Sequence, residues 1–231
     1  MKNNNILIEK FENKLNLTEK DYNDILNTLN DEKNKQYLKL ISVDIPRTLS
    51  VEFRNQNPLF SSNLEEVLGV FAASNDGLGY VSGMSFIAKI ILKMTSNDKI
   101  KTFIILRNIF ENQSLKDLYR NQYETIINDF NKKFNEKIPL LFKHFEKNMI
   151  APYYYLYTWL KSLLCFKFDE NIGEYVFKLF LEKNDFSIYY NAILSILLAY
   201  ENELLKKSQT EILTFLNNIK SVDFTNFTKN I

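Results

Sequence analysis

Arg47 is the residue in this sequence whose immediate neighbours most favour a chemical role. It directly follows Pro46, whose ring fixes its own φ and disfavours helical geometry in the preceding residue, Ile45. The sequence therefore predicts a stiff loop that holds Arg47. Because a guanidinium presents planar donors that match phosphate oxygens, a fixed and projecting arginine is suited to the arginine-finger role in nucleotide hydrolysis.

A second loop, over residues 79–84, offers the hydroxyl of Ser82. Glycine-containing sequence precedes it, and apolar residues return at helical spacing from Met84 onward, so we expect Ser82 at or near a helix N-terminus. Free amides and the positive end of the helix dipole face outward there, which suits an anion or a polarised water. Ser82 could instead simply cap the helix, and the two roles are compatible.

Two short motifs can be identified in these segments. Their residues are Ile41, Asp44 and Arg47 in the pattern I-x-x-D-x-x-R, and Gly79, Tyr80, Gly83 and Met84 in the pattern G-Y-x-x-G-M. With them the chain resembles TBC domains, the GTPase-activating domains for Rab proteins, whose second motif is G-Y-x-Q-G-M. Ser82 stands where that family carries glutamine.

The resemblance implies that two side chains enter the nucleotide site of a Rab protein. In TBC domains the arginine neutralises charge on the transferred phosphoryl group, which would be the role of Arg47, and the glutamine orients the attacking water. Ser82 lacks the reach and the planar amide of glutamine, so we expect reduced or unconventional activity. The residues expected to support the two loops are Ile41, Asp44, Pro46, Gly79, Tyr80 and Gly83. No cofactor is expected in the chain itself, since GTP and Mg²⁺ would belong to the partner GTPase.

Two other interpretations of the same motifs stay open. A non-catalytic adaptor would bind a GTP-loaded Rab and recruit or mask it, which predicts binding without turnover. A helical protein-interaction scaffold would not contact a GTPase at all, and its motifs would be relics. Loss of Arg47 would then leave partner binding unchanged.

The balance of charge argues against nucleic acid as a partner. The 29 basic and 28 acidic side chains give a formal net charge of +1, and no basic run with interleaved aromatic residues occurs. Cys165 is the only cysteine and His144 the only histidine. This excludes an intramolecular disulfide and a metal site built from several cysteines or histidines.

The distribution of apolar residues predicts no membrane-spanning segment. The most apolar stretch, residues 186–200, is shorter than the roughly 20 residues that cross a bilayer. The start of the sequence also lacks the continuous apolar core of a signal peptide. We therefore expect a cytoplasmic protein, and the resemblance to TBC domains implies peripheral recruitment to membranes through a Rab partner.

The pattern of apolar residues predicts an all-α fold. Breakers are few, with 5 glycines and 4 prolines, and apolar residues recur at helical spacing without sustained strand-type alternation. The resemblance implies a single irregular multi-helix domain of the TBC type over residues 37–206. Residues 1–36 are expected to form a helical segment, diverged or part of that domain, and residues 207–231 a helix and tail that pack on it.

Three pairs of side chains predict where helices begin. In each pair a hydroxyl residue precedes by three positions a carboxylate that can bond back to the cap amide. The pairs are Thr18 with Asp21, Ser62 with Glu65, and Ser208 with Glu211.

Overall fold

The computed structural model describes residues 7, 9–11, 15–75, 77–219, 223 and 227. Within these ranges the regular structure is helical and no strand occurs, which confirms the predicted all-α class. The helices group into two compact units, one ending at Arg120 and the other beginning at Asn121. No helix in the described ranges has the length and apolar character that a bilayer crossing requires.

The first unit contains helices α1 to α7. Their bounds are Glu19–Leu26 (α1), Glu32–Thr48 (α2), Val51–Gln56 (α3), Pro58–Ser74 (α4), Met84–Met94 (α5), Lys99–Ile109 (α6) and Gln113–Tyr119 (α7). Both sequence motifs fall in this unit.

The second unit contains helices α8 to α14 and a 3₁₀ turn at Pro152–Tyr154. The helix bounds are Tyr123–Lys137 (α8), Pro139–Lys147 (α9), Leu156–Lys161 (α10), Glu170–Lys183 (α11), Ser187–Ala199 (α12), Glu201–Leu204 (α13) and Gln209–Asn218 (α14). Aromatic rings fill much of its core; Tyr155, for example, meets Trp159 edge-on with ring centroids 5.5 Å apart.

Helix α4 is the centre of the first unit and packs against α1, α2, α5 and α6. Four apolar side chains at helical spacing, Leu64, Val67, Leu68 and Phe71, are fully buried along it. Each such burial stabilises the fold by about 1.5–3 kcal/mol. Because α2 also packs on α5, this core holds the two motif-bearing segments against each other.

Two of the three predicted helix starts are confirmed and one is wrong. Thr18 and Ser208 each form a capping box with the carboxylate three residues later. Ser62 instead lies inside α4, which begins at Pro58. A proline at the first helical position has a preset φ and no amide that needs a partner, so the helix starts about one turn earlier than the hydroxyl pattern predicts.

Candidate functional site

Arg47 lies in the last turn of α2, so the prediction that it sits in a loop is wrong. Pro46 is inside this helix, and Ile41 and Ile45 bury their side chains in the core of the unit. That burial outweighs the local preference of a residue before proline for extended geometry. Pro46 removes one helical hydrogen bond, to the carbonyl of Ser42, and Ser42 is exposed, so water can replace the lost donor.

The guanidinium of Arg47 is exposed and is held from one side. Its Nη1 lies 3.2 Å from Oδ1 of Asp44, and the side chain is 63% exposed whereas that of Asp44 is 7% exposed. Arginine carries five N–H donors, and Nη1 supplies the contact with Asp44. The pair thus orients Arg47 while donors on its outer side stay available to another molecule.

Asp44 connects the first motif to the second. Its Oδ2 accepts a hydrogen bond of 2.9 Å from the hydroxyl of Tyr80, a buried side chain. Burial and the neighbouring negative charge of Asp44 both raise the pKa of Tyr80, so its hydroxyl keeps the proton that it donates. The carboxylate therefore has a fixed donor on each oxygen, and its position does not depend on solvent.

A second buried contact joins α2 to α5. Oγ1 of Thr48 donates a hydrogen bond of 2.7 Å to Oγ of Ser85. The same oxygen lies 2.9 Å from the backbone carbonyl oxygen of Asp44. Thr48 directly follows Arg47, and Ser85 lies in the first turn of α5. Neither hydroxyl was identified from the sequence; the one signal is that each stands next to a motif residue.

Gly79 brings the backbone of the second segment against α2. Its φ is +61°, and a Cβ placed on it would lie 2.6 Å from the hydroxyl oxygen of Tyr37. Both the left-handed backbone and the contact with Tyr37 thus require glycine. Tyr37 is a further positioning residue that the sequence alone did not reveal.

Substitution of Gly79 by alanine is expected to lower the free energy of unfolding by about 2–5 kcal/mol. About 1–2 kcal/mol comes from the left-handed backbone and about 1–3 kcal/mol from overpacking against Tyr37. Gly77 is a matched control, because its φ is +84° but a Cβ there meets nothing within 4 Å. Urea unfolding should show a larger fall in the free energy of unfolding for Gly79→Ala than for Gly77→Ala. Equal falls in the two variants would show that the contact with Tyr37 contributes nothing.

Ser82 is exposed and lies just before α5. The cap of that helix is Gly83, with φ of 102° and no side-chain cap bond, so the alternative that Ser82 caps the helix is wrong. The segment is held instead by Met84, whose sulfur accepts from the amide of Val81 at 3.3 Å. The hydroxyl of Ser82 has no hydrogen bond to any residue in the described part of the chain.

The three contact residues of α2 lie along one edge of the helix. Tyr37, Asp44 and Thr48 are separated by seven and four residues, a spacing that places them on the same side. The loop and the first turn of α5 pack along this edge. The site therefore presents an exposed arginine beside a mostly buried loop, in which Ser82 is exposed. This arrangement fits the donation of hydrogen bonds to an anion on a second molecule.

The donor set does not resemble a metal centre. Among the residues that the structure describes, no group of three or more His, Cys, Asp or Glu side chains is placed to hold a metal ion. Asp44, the carboxylate at this site, has one oxygen 3.2 Å from Arg47 and the other bonded to Tyr80.

Comparison with protein families gives a match over most of the chain. The family described as the Rab-GTPase-TBC domain matches residues 2–205. The chain is similar to human TBC1 domain family member 14, with 27% identity over 186 residues, covering 79% of this chain and 26% of that protein. It is also similar to Drainin of Dictyostelium discoideum, with 26% identity over 187 residues, covering 79% of this chain and 42% of Drainin. The chain thus spans about a quarter of the length of the first relative and less than half of the second.

Two solved structures share the fold. The crystal structure of a Chlamydomonas flagellar RabGAP TBC domain has a TM-score of 0.79 at 20% identity, covering 93% of this chain and 72% of that one. The Ypt/Rab-GAP domain of Gyp1p has a TM-score of 0.74 at 17% identity, covering 90% and 74% respectively.

Proposed function

Because the chain belongs to the Rab-GTPase-TBC domain family, we propose that it stimulates GTP hydrolysis by a Rab-family small GTPase and supplies Arg47 in trans. The observation that carries the proposal is the asymmetry of the Arg47–Asp44 pair. The carboxylate is buried and has a donor on each oxygen, whereas the guanidinium is mostly exposed. An arginine presented in this way can reach a nucleotide that is bound to another protein.

Arg47 acts in this proposal by stabilising charge that develops during phosphoryl transfer. When the GTPase docks, water leaves the site and the guanidinium donors meet phosphate oxygens in a low-dielectric environment, where the interaction strengthens. Asp44, Tyr80 and the Thr48–Ser85 contact fix the helix end beforehand, so little ordering is needed at the moment of reaction. GTP and Mg²⁺ come with the GTPase.

Ser82 limits the efficiency of the proposed reaction. It stands where the family motif carries glutamine, and its short side chain does not offer a planar amide to align the attacking water. The activity is therefore weaker than that of a two-finger activator, unless the glutamine of the GTPase itself takes over the alignment. Recruitment through a GTP-loaded Rab would place the protein at membranes peripherally, from the cytoplasm.

The second candidate is a non-catalytic Rab-binding adaptor. Ser82 favours it, because a protein without the glutamine of the family motif lacks the group that aligns the attacking water. A catalyst binds the transition state more tightly than the ground state. Affinity for Rab loaded with GDP and aluminium fluoride should therefore exceed affinity for Rab loaded with a non-hydrolysable GTP analogue, by a factor of about 10² or more. Equal affinities in the two states, measured by calorimetry, would support the adaptor and refute the activator.

A further inference from the structure

Arg47 is the last member of a row of exposed residues along α2. Leu40 and Val43 are each 51% exposed, and Lys33 and Gln36 continue the row as exposed residues toward the start of the helix. At 3.6 residues per turn, these five positions fall within an arc of about 80°. We call this row the α2 stripe.

The stripe adjoins the edge that holds the second motif. Asp44 lies one helical turn beyond Leu40 and accepts a hydrogen bond from the hydroxyl of Tyr80. Tyr37 lies one turn before Leu40 and contacts Gly79. A partner protein that covers Leu40 and Val43 therefore meets Arg47 at the C-terminal end of the stripe. It also lies beside the loop over residues 79–84. The apolar side chains and the arginine are parts of one continuous surface.

The composition of the stripe is unusual for a solvated helix face. Its centre is apolar, whereas its ends carry cations, Lys33 and Arg47. Lys33 and Arg47 are 14 positions apart, which corresponds to about 21 Å along the axis at 1.5 Å per residue. A complementary surface has an anionic group at one end, an apolar patch in the middle and a carboxylate about 20 Å from the anion.

We propose that the α2 stripe is the docking surface for the GTPase, an inference that rests on the proposed function. The anion at the Arg47 end is the γ-phosphate of the bound GTP. The apolar centre packs against an apolar patch beside the nucleotide, and Lys33 pairs with an acidic side chain farther along the partner. Leu40 and Val43 are thus positioning residues that set affinity, and Arg47 is the residue that touches the reacting group.

This assignment predicts a separation of binding from turnover. Leu40→Ser and Val43→Ser should each raise the half-saturating concentration for stimulation of Rab GTP hydrolysis by on the order of tenfold, since each removes apolar area buried on docking. The maximal single-turnover rate should stay unchanged, because the binding lost is the same in the ground and transition states. Leu140→Ser is the matched control: Leu140 is 67% exposed but lies on α9, and no change is expected.

The charge at the far end of the stripe has its own control. Lys33→Glu should weaken binding at low salt, and the loss should shrink as salt is raised, because exposed charges are screened. Lys35→Glu makes the same change two residues along, on the opposite side of the helix, and should have a smaller effect.

Direct binding to Rab loaded with a non-hydrolysable GTP analogue separates failure of this inference from failure of the proposed function. Binding weakened by Leu40→Ser and Val43→Ser, without stimulation of hydrolysis by the wild type, would support the stripe and refute the activator. Stimulation that depends on Arg47 with unchanged binding in both variants would overturn the stripe alone. Absence of binding to every Rab tested would overturn both. The five substituted side chains are all exposed, so we expect every variant to fold, and circular dichroism checks this.

Discussion

Arg47→Ala is expected to return the single-turnover rate of Rab GTP hydrolysis to that of the GTPase alone, even at saturating concentrations of the variant. Arginine fingers contribute about 10³–10⁵ in rate across GTPases, and Arg47 is the cation that the site presents to a partner. Removal of its side chain deletes the charge that stabilises the transition state. Because the buried carboxylate of Asp44 loses the donor on one of its oxygens, the free energy of unfolding should fall by about 1–3 kcal/mol.

Two further variants show whether the effect belongs to the guanidinium. Arg47→Lys keeps the positive charge but loses the planar set of donors, so it should recover only a small part of the stimulation. Arg120→Ala removes an exposed arginine that lies outside both motifs and should change nothing. Stimulation by Arg47→Ala at the wild-type level would exclude Arg47 as the finger.

Ser82→Gln is expected to raise the maximal rate of stimulated hydrolysis by up to about 10²-fold, the size of the loss that misplacement of a reacting group can cause. The amide of glutamine would restore a donor and an acceptor in fixed relation for the attacking water. The position tolerates the change because Ser82 is exposed and the cap of α5 is Gly83. The rate should be measured at a saturating concentration of the variant, so that a change in its affinity for the Rab does not alter the measured rate.

Ser82→Ala is the matched control for this substitution. The hydroxyl of Ser82 makes no hydrogen bond within the described part of the chain, so its removal should leave both stability and stimulated rate nearly unchanged. If Ser82→Ala instead lowers the rate by tenfold or more while Ser82→Gln brings no gain, the serine itself positions the water and the expected deficit does not exist.

The sequence predicted the fold class correctly and the local structure around Arg47 wrongly. Apolar spacing predicted the buried face of α4 correctly because that pattern depends on neighbours within two turns. Arg47 lies in a helix and not in the expected loop, because burial of Ile41 and Ile45 in the core outweighs the preference of Ile45, as the residue before Pro46, for extended geometry.

The contacts that fix the site were largely invisible in the sequence because they join residues far apart. Thr48 and Ser85 are separated by 37 positions, and Tyr80 and Asp44 by 36. A single hydroxyl carries no periodic pattern, so nothing in the sequence indicates which distant partner it will meet. Tyr37 was missed for the same reason, since its role becomes apparent only when Gly79 lies against its ring.

The central claim is that this protein accelerates GTP hydrolysis on a Rab by means of Arg47. Its most direct test is single-turnover hydrolysis by a panel of GTP-loaded Rab proteins, each measured alone, with the wild-type protein and with Arg47→Ala. We predict that at least one Rab hydrolyses GTP faster with the wild type, with a rate that saturates, and that Arg47→Ala removes the gain. No gain for any Rab in the panel would contradict the claim.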